Sequence, residues 1–338
     1  MDILLDIPTP LLTRVFSHLG DDATDAQVSR FVQQAIEAQL AGSGRRPQHA
    51  KAAAPDHGRG FDEHVLAMAP ATDAGRVKVT EPFPEKQVVG VTDSEGREWL
   101  WGQVNRILPL KFVLRAILNV APEGQLSMED AHPLLRPVSR NFALLLRDID
   151  ERKGTRRDDR LDVGFPSGDD EDAALTRFLS QFFFDLREDG GVSGALPLLR
   201  FVGPAVDHSI GLTAAGLDFA RLENPILNGQ GKSGRRLSAD ETRFYVQHVM
   251  EHVPGEAAAF RVIAEALRNR VHTNKELATL LRGTVGNDWS ESLVSTQRSG
   301  AMGRMLDLGL TRRERRGVRV RFYLTDAGDS LLPAGGGG

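Results

Sequence analysis

The chain has no cysteine, which excludes disulfides, thiol catalysis and cysteine-ligated metals. Lysine is scarce, seven residues beside 35 arginines, a skew read as codon composition more than function. No apolar run approaches the roughly 18 residues that crossing a bilayer requires, so no membrane partner is expected. The opening "MDILLDIPTPLL" lacks a basic leader and is broken by two prolines, unlike a secretory signal, and a cytoplasmic protein is expected. No Ser/His/Asp set, paired catalytic carboxylates or dinucleotide loop stands out. A non-enzymatic protein with no cofactor and no bound metal is the expectation.

What is present is uneven. The 338 residues predict two or three domains, and a hydrophobic fraction of 41% suffices for ordinary cores. The net charge of −4 hides a basic island between residues 298 and 321, where eight arginines face only Asp307 and Glu314. Such an island in an acidic chain points to a localised anionic partner.

Residues 1–42 read as strand, helix, helix. "DILLDIP" alternates; Thr9-Pro10 starts a helix that Gly20 ends; Thr24 and Gln27 cap a second, "VSRFVQQAIEAQL". This unit resembles the ribbon-helix-helix family, which implies pairing of two chains through the strand and hence a homodimer through residues 1–42. In that family the outward side chains of the strand read DNA. Here they would be Asp2, Leu4 and Asp6, and carboxylates are repelled by phosphates, so dimerisation is the expected role. Residues 43–75 begin with "SGRRPQHAKAAAPDHGRG" and read as a flexible linker.

Short strands are expected over 76–102, with "TDSEG" turning between "QVVGV" and "EWLWG". A helix then starts at Ile107-Leu-Pro109, burying Leu110, Val113, Leu114 and Ile117. Ser127 and Asp130 cap a short second helix, and a third over about 139–152 buries Phe142, Leu145, Leu146 and Ile149. "RKGTRRDDRLDVGF" reads as a charged hairpin. Residues 167–236 repeat the plan less clearly, through "DAALTRFLSQFFFDLRE" and "SIGLTAAGLDFARL". The last unit, 237–333, is the best defined. Ser238 with Glu241 and Thr273 with Glu276 form capping boxes, a long helix spans about 290–306, and "GLTRRERRGVRVRFYLT" makes two strands around an arginine-rich turn; a glycine tail, 334–338, follows.

Helix, capped short helix, longer helix, then "LGL…RRERRG…VRFYLTDAG" resembles the winged helix-turn-helix family, and 76–166 and 167–236 resemble it more distantly. The fold class expected is mainly α with small β-wings (α+β), an array of winged-helix domains behind a ribbon-helix-helix-like unit. The resemblance implies binding of double-stranded DNA. The long helix would present Ser292, Ser295, Thr296 and Arg298 opposite an apolar face of Leu293, Met302, Met305 and Leu306. The wing would present Arg312, Arg313, Arg315, Arg316 and Arg319, with Arg156 and Arg157 upstream as a second phosphate contact. An alternative stays open: a scaffold whose winged helices bind protein partners. Leu-Thr-x-Ala-Gly occurs twice, in "SIGLTAAGLDFA" (209–220) and "RFYLTDAGDSLL" (321–332), and is read as one structural part used twice.

Two motifs are set aside. His248-Val-Met-Glu251-His252 matches a short zinc pattern but finds no third ligand, and a solvated helix face is expected. "NGQGKSG" lacks the first glycine of a phosphate loop, with Ile226 in its place, and is read as a plain loop.

Overall fold

Leu108–Val120 (α1) opens with Pro109 in its first turn, and its apolar positions are so closely spaced that both flanks are buried. The structure, a computed structural model, describes residues 99–332 except 122–124, 168–169, 189–190, 206–207, 229–234, 285–288 and 318. The expected ribbon-helix-helix-like unit, the linker and the strands over 76–98 therefore lie outside the described residues, as does the glycine tail. Residues 99–102, expected to continue those strands, form none.

A short strand, Gln125–Ser127 (β1), leads into Met128–Lys153 (α2), whose N-cap Ser127 accepts from the Asp130 amide at 3.0 Å. The two helices expected here are one helix of 26 residues. Pro133 and Pro137 suggest breaks, but both sit on the exposed side while Ala131, Leu135, Val138 and Phe142 form an unbroken buried stripe. Two interior prolines together cost a helix about 6 kcal/mol; buried Leu135, Val138, Phe142, Leu145, Leu146 and Ile149, each contributing roughly 2 kcal/mol, outweigh them. Gly154, left-handed at φ 59°, ends α2. The charged hairpin expected at "RKGTRRDDR" is absent. Its place is taken by a single 3₁₀ turn, Arg157–Asp159, after which Asp150 Oδ2 accepts from the amides of Leu161 (2.6 Å) and Asp162 (3.0 Å).

Glu171–Phe178 (α3) continues as one π-helical turn, Leu179–Phe183. A minimal ladder follows, Asp185–Leu186 (β2) with Val192–Ser193 (β3), then Ala195–Leu198 (α4), Val202–Pro204 (β4), Ser209–Leu212 (β5) and Ala214–Arg221 (α5). Strand order β1-β5-β4, antiparallel throughout, joins Leu126 to Ile210 and Gly203 to Gly211. This sheet overrides the division at residue 166: its first strand comes from one expected domain and the other two from the next. Stacked Phe112 and Phe142 (4.5 Å), with Phe165 and Phe178 against them, form the core beneath it.

Ala239–His252 (α6) carries the predicted capping box of Ser238 and Glu241, and packs between α5 and Pro254–Arg268 (α7). Asn274–Thr284 (α8), Glu291–Asp307 (α9), Thr311–Arg316 (β6), Arg319–Leu324 (β7) and Asp326–Leu331 (α10) complete the chain. The molecule is mainly helical with small antiparallel sheets.

The two halves share an outline: each runs from a helix and a strand contact through further helices to an antiparallel hairpin and a closing helix, and the first half carries the β2–β3 ladder and the short α4 in addition. In the second half the strand contact shrinks to His272, whose carbonyl accepts from the Phe322 amide at 2.9 Å. The Leu-Thr-x-Ala-Gly turns match atom for atom. Thr213 Oγ1 accepts from Gly216 N and donates to Arg200 O; Thr325 Oγ1 accepts from Gly328 N and donates to Gly309 O. Each threonine amide also bonds a carbonyl of the turn before the hairpin, Phe201 or Leu310, at 3.0 Å. Both turns pass through a left-handed residue, Arg200 at φ 59° and Gly309 at φ 70°. A Cβ on Gly216 or Gly328 would lie within about 2 Å of those carbonyl oxygens, so glycine is required at both places.

Two buried ion pairs lock helices together. Lys111 on α1 meets Glu241 on α6 at 3.0 Å, and Arg304 on α9 grips Glu256 on α7 through two bonds of 2.5 and 2.6 Å, every one of these side chains fully buried. Desolvation pulls Lys111 down from 10.5 to about 7 despite the Glu241 carboxylate beside it.

Candidate nucleic-acid interface

The hairpin β6–β7 follows from alternation. In register, Thr311 faces Leu324, Arg313 faces Phe322 and Arg315 faces Val320; Arg312 faces Tyr323, Glu314 faces Arg321 and Arg316 pairs with Arg319. The first set is the face toward the core, where Thr311 and Phe322 are buried and anchor the hairpin's base. The second set is the charged face. There the Arg312 guanidinium lies 4.7 Å from the centre of the Tyr323 ring, which itself meets His272 at 4.6 Å. Arg312 is also paired with Glu314. Arg319 and Arg321 are exposed, and Arg315 is exposed with Nε donating to Gly317 O at 3.3 Å.

Arg156 and Arg157, far upstream in sequence, are exposed on the 3₁₀ turn after α2. That turn is beside the hairpin: Asp159 lies 3.8 Å from Arg313. Sequence reasoning places these arginines on a separate wing. The structure puts their turn next to the β6–β7 hairpin.

The long helix α9 departs more from expectation. Ser290 caps it, and Ser292, Ser295 and Ser299 form an exposed stripe. Thr296 is half-buried, its carbonyl against Gly102. Arg298 is half-buried, donating to Asn274 O at 2.8 Å and to the hydroxyls of Ser295 and Ser299; burial lowers its pKa. The apolar face is Val294, Ala301, Met302 and Met305, whereas Leu293, expected within it, is 40% exposed.

The opposite flank of α9 is covered by residues 99–106. Trp99 packs edge-on against Trp289 at 5.4 Å, and Arg304 donates to Val104 O. Gly102, Gly300 and Gly303 let the two backbones touch: a Cβ on Gly300 would sit 2.4 Å from Gly102 Cα. The spacing "SGAMG" is the available signal for this strap, but small residues also suit many other helix faces.

No known protein family, curated protein or solved structure matches the chain. The geometry therefore stands alone, and the other candidate chemistry is weak. His248 is not on a solvated face as expected. It is buried, and its Nε2 bonds Leu199 O at 2.7 Å; burial also lowers its pKa. Among the described residues no group of three or more His, Asp or Glu is placed to hold a metal, and no helix is long and apolar enough to cross a membrane. The "GQGKS" loop lies outside the described residues.

Proposed function

We propose that the protein binds double-stranded DNA through a winged helix-turn-helix unit formed by α7–α10, as a transcriptional regulator or as the DNA-recognition subunit of a larger system. The carrying observation is the β6–β7 hairpin that follows α9: a two-stranded ribbon whose outward face is mostly arginine. Guanidinium groups neutralise phosphates and release condensed counterions. The element order α7, His272 contact, α8, α9, β6, β7 is the order of that family, and the matching Thr213 and Thr325 exits support two such units in tandem where three were expected, the first enlarged by the β2–β3 ladder and an added helix.

The test is a gel shift on a duplex across salt concentrations, comparing the chain with a variant in which Arg312, Arg315, Arg319 and Arg321 are alanine. Binding weaker by more than about tenfold, with a shallower salt dependence, is expected. Unchanged affinity and slope would sink the reading.

A second reading, a scaffold that binds protein, is favoured by one surface. Pro133, Leu134, Pro137 and Leu144 line the exposed side of α2, with Leu134 and Leu144 44% and 49% exposed. Retained DNA binding with loss of a co-purifying protein on Leu134→Glu/Leu144→Glu substitution would assign that role to α2 and leave the hairpin its own.

A further inference from the structure

We infer, resting on the duplex-binding reading, that this face holds DNA by its phosphates without selecting a sequence, along one basic track made from two segments distant in the chain. The track runs from Arg156 and Arg157 on the turn after α2 to Arg312, Arg319 and Arg321 on the charged face of the hairpin. The approach of Arg313 to Asp159 at 3.8 Å brings its two parts together. Asp159 and Glu314 each lie beside an arginine, while Arg156, Arg157, Arg319 and Arg321 are exposed and form no salt bridge among the described residues, although Glu314 stands opposite Arg321 in the register.

The lack of sequence selection follows from what α9 can present. Direct readout in the major groove relies on side chains with two hydrogen-bonding groups in a fork, Arg or Lys to guanine and Asn or Gln to adenine. Between Glu291 and Ser299 the exposed side chains of α9 are Glu291, Ser292, Leu293, Ser295 and Ser299. Gln297, the one amide in this stretch, is buried at 8% exposure, and Arg298 is committed to Asn274 O and two serine hydroxyls. Beyond Ser299 the helix is flanked by residues 99–106, with the two backbones touching at Gly102 and Gly300, so it cannot sink further into a groove without unpacking. Single hydroxyls accept and donate to any base, which leaves the arginines to supply the binding.

The experiment uses the full chain and fluorescence anisotropy with labelled duplexes of three unrelated sequences and equal length, alongside selection from a randomised duplex pool. The expected result is affinities within about threefold of one another and no enriched motif. R156Q/R157Q and R319Q/R321Q should each lower the salt slope by about 1.8 on every duplex, at about 0.9 for each phosphate no longer neutralised. S292A/S295A/S299A should leave affinities within about twofold. Melting temperatures matching the parent chain show that the exposed-residue variants are folded. An enriched motif bound more than a hundredfold tighter, or a sequence preference altered by the serine variant, overturns the inference and leaves duplex binding standing. An unchanged slope for R156Q/R157Q overturns the joined track. Absence of salt-dependent binding to every duplex overturns this inference together with the reading beneath it.

Discussion

Asp307, the last residue of α9, caps the start of α1 across 200 residues: its Oδ2 accepts from the amide of Ile107 at 2.8 Å and from that of Leu108 at 3.2 Å. The same carboxylate meets Arg236 at 3.1 Å and Arg106 at 3.9 Å, and its side chain is fully buried. One group thus ties the first described helix, the segment before α6 and the long helix. Asp307→Ala should lower stability by about 3 kcal/mol, because it strands two buried amides and removes the carboxylate partner of the partly buried Arg236. Urea unfolding would show it; a loss below about 1 kcal/mol would mean the cap carries little.

The strap on α9 predicts opposite signs for two glycines. Gly300→Ala should destabilise by about 3 kcal/mol, since the new methyl meets backbone that cannot rotate away. Gly283→Ala, on α8 with nothing within 4 Å of the new atom, should stabilise by about 0.5 kcal/mol through helix propensity. Thermal melts of the two variants are compared directly, and a tolerated Gly300→Ala refutes the close approach of the backbones.

Lys111 gives a dependence on pH. Its folded pKa, near 7, lies below the unfolded value of 10.5, so between these limits the unfolded chain binds more protons. Stability contributed at this position is therefore lowest below pH 7 and rises toward pH 10.5. Unfolding free energies measured at pH 7, 8 and 9 should rise for the parent chain relative to Lys111→Met. A difference that stays flat over this range contradicts the depressed pKa.

The paired turns predict paired losses. Thr213→Val and Thr325→Val each remove a helix cap and a bond to the preceding turn, and each should cost about 1–2 kcal/mol in denaturant unfolding. A cost at one position and none at the other would separate two turns that the geometry makes alike.

Much of the helical structure was legible because its signals are short. Ser127, Ser238, Thr273 and Ser290 mark helix starts through oxygens that reach amides two or three residues on, and the structure has a helix after each. Where sequence reading failed, a longer-range force had overruled a local rule. Two helices were expected where α2 runs unbroken, because the buried stripe from Ala131 to Phe142 carries it past Pro133 and Pro137 as one helix. "RKGTRRDDR" has the composition of a hairpin tip, but Asp150 bonds the amides beyond it and closes the segment as a turn. On the candidate interface, the exposure of the hairpin arginines and of Ser292 and Ser295 agrees with what the charge pattern and the family resemblance led one to expect. The half-burial of Arg298 was not expected, because its partner, Asn274 O, belongs to another helix.

The amino-acid sequence alone determined the caps, the repeated Leu-Thr-x-Ala-Gly exit and the concentration of arginine near the C-terminus. Each depends on residues within a few positions of one another, where covalent geometry already limits the outcome. Tertiary structure alone decided that β1 pairs with β5 across the expected domain boundary, that residues 99–106 cover α9, and that Arg156 and Arg157 lie beside the Arg313 hairpin. Those meetings join backbones at glycines or single charges across long stretches of chain. Such groups leave no periodic trace in a sequence, and they come together only when burial of the two cores brings their surfaces into register.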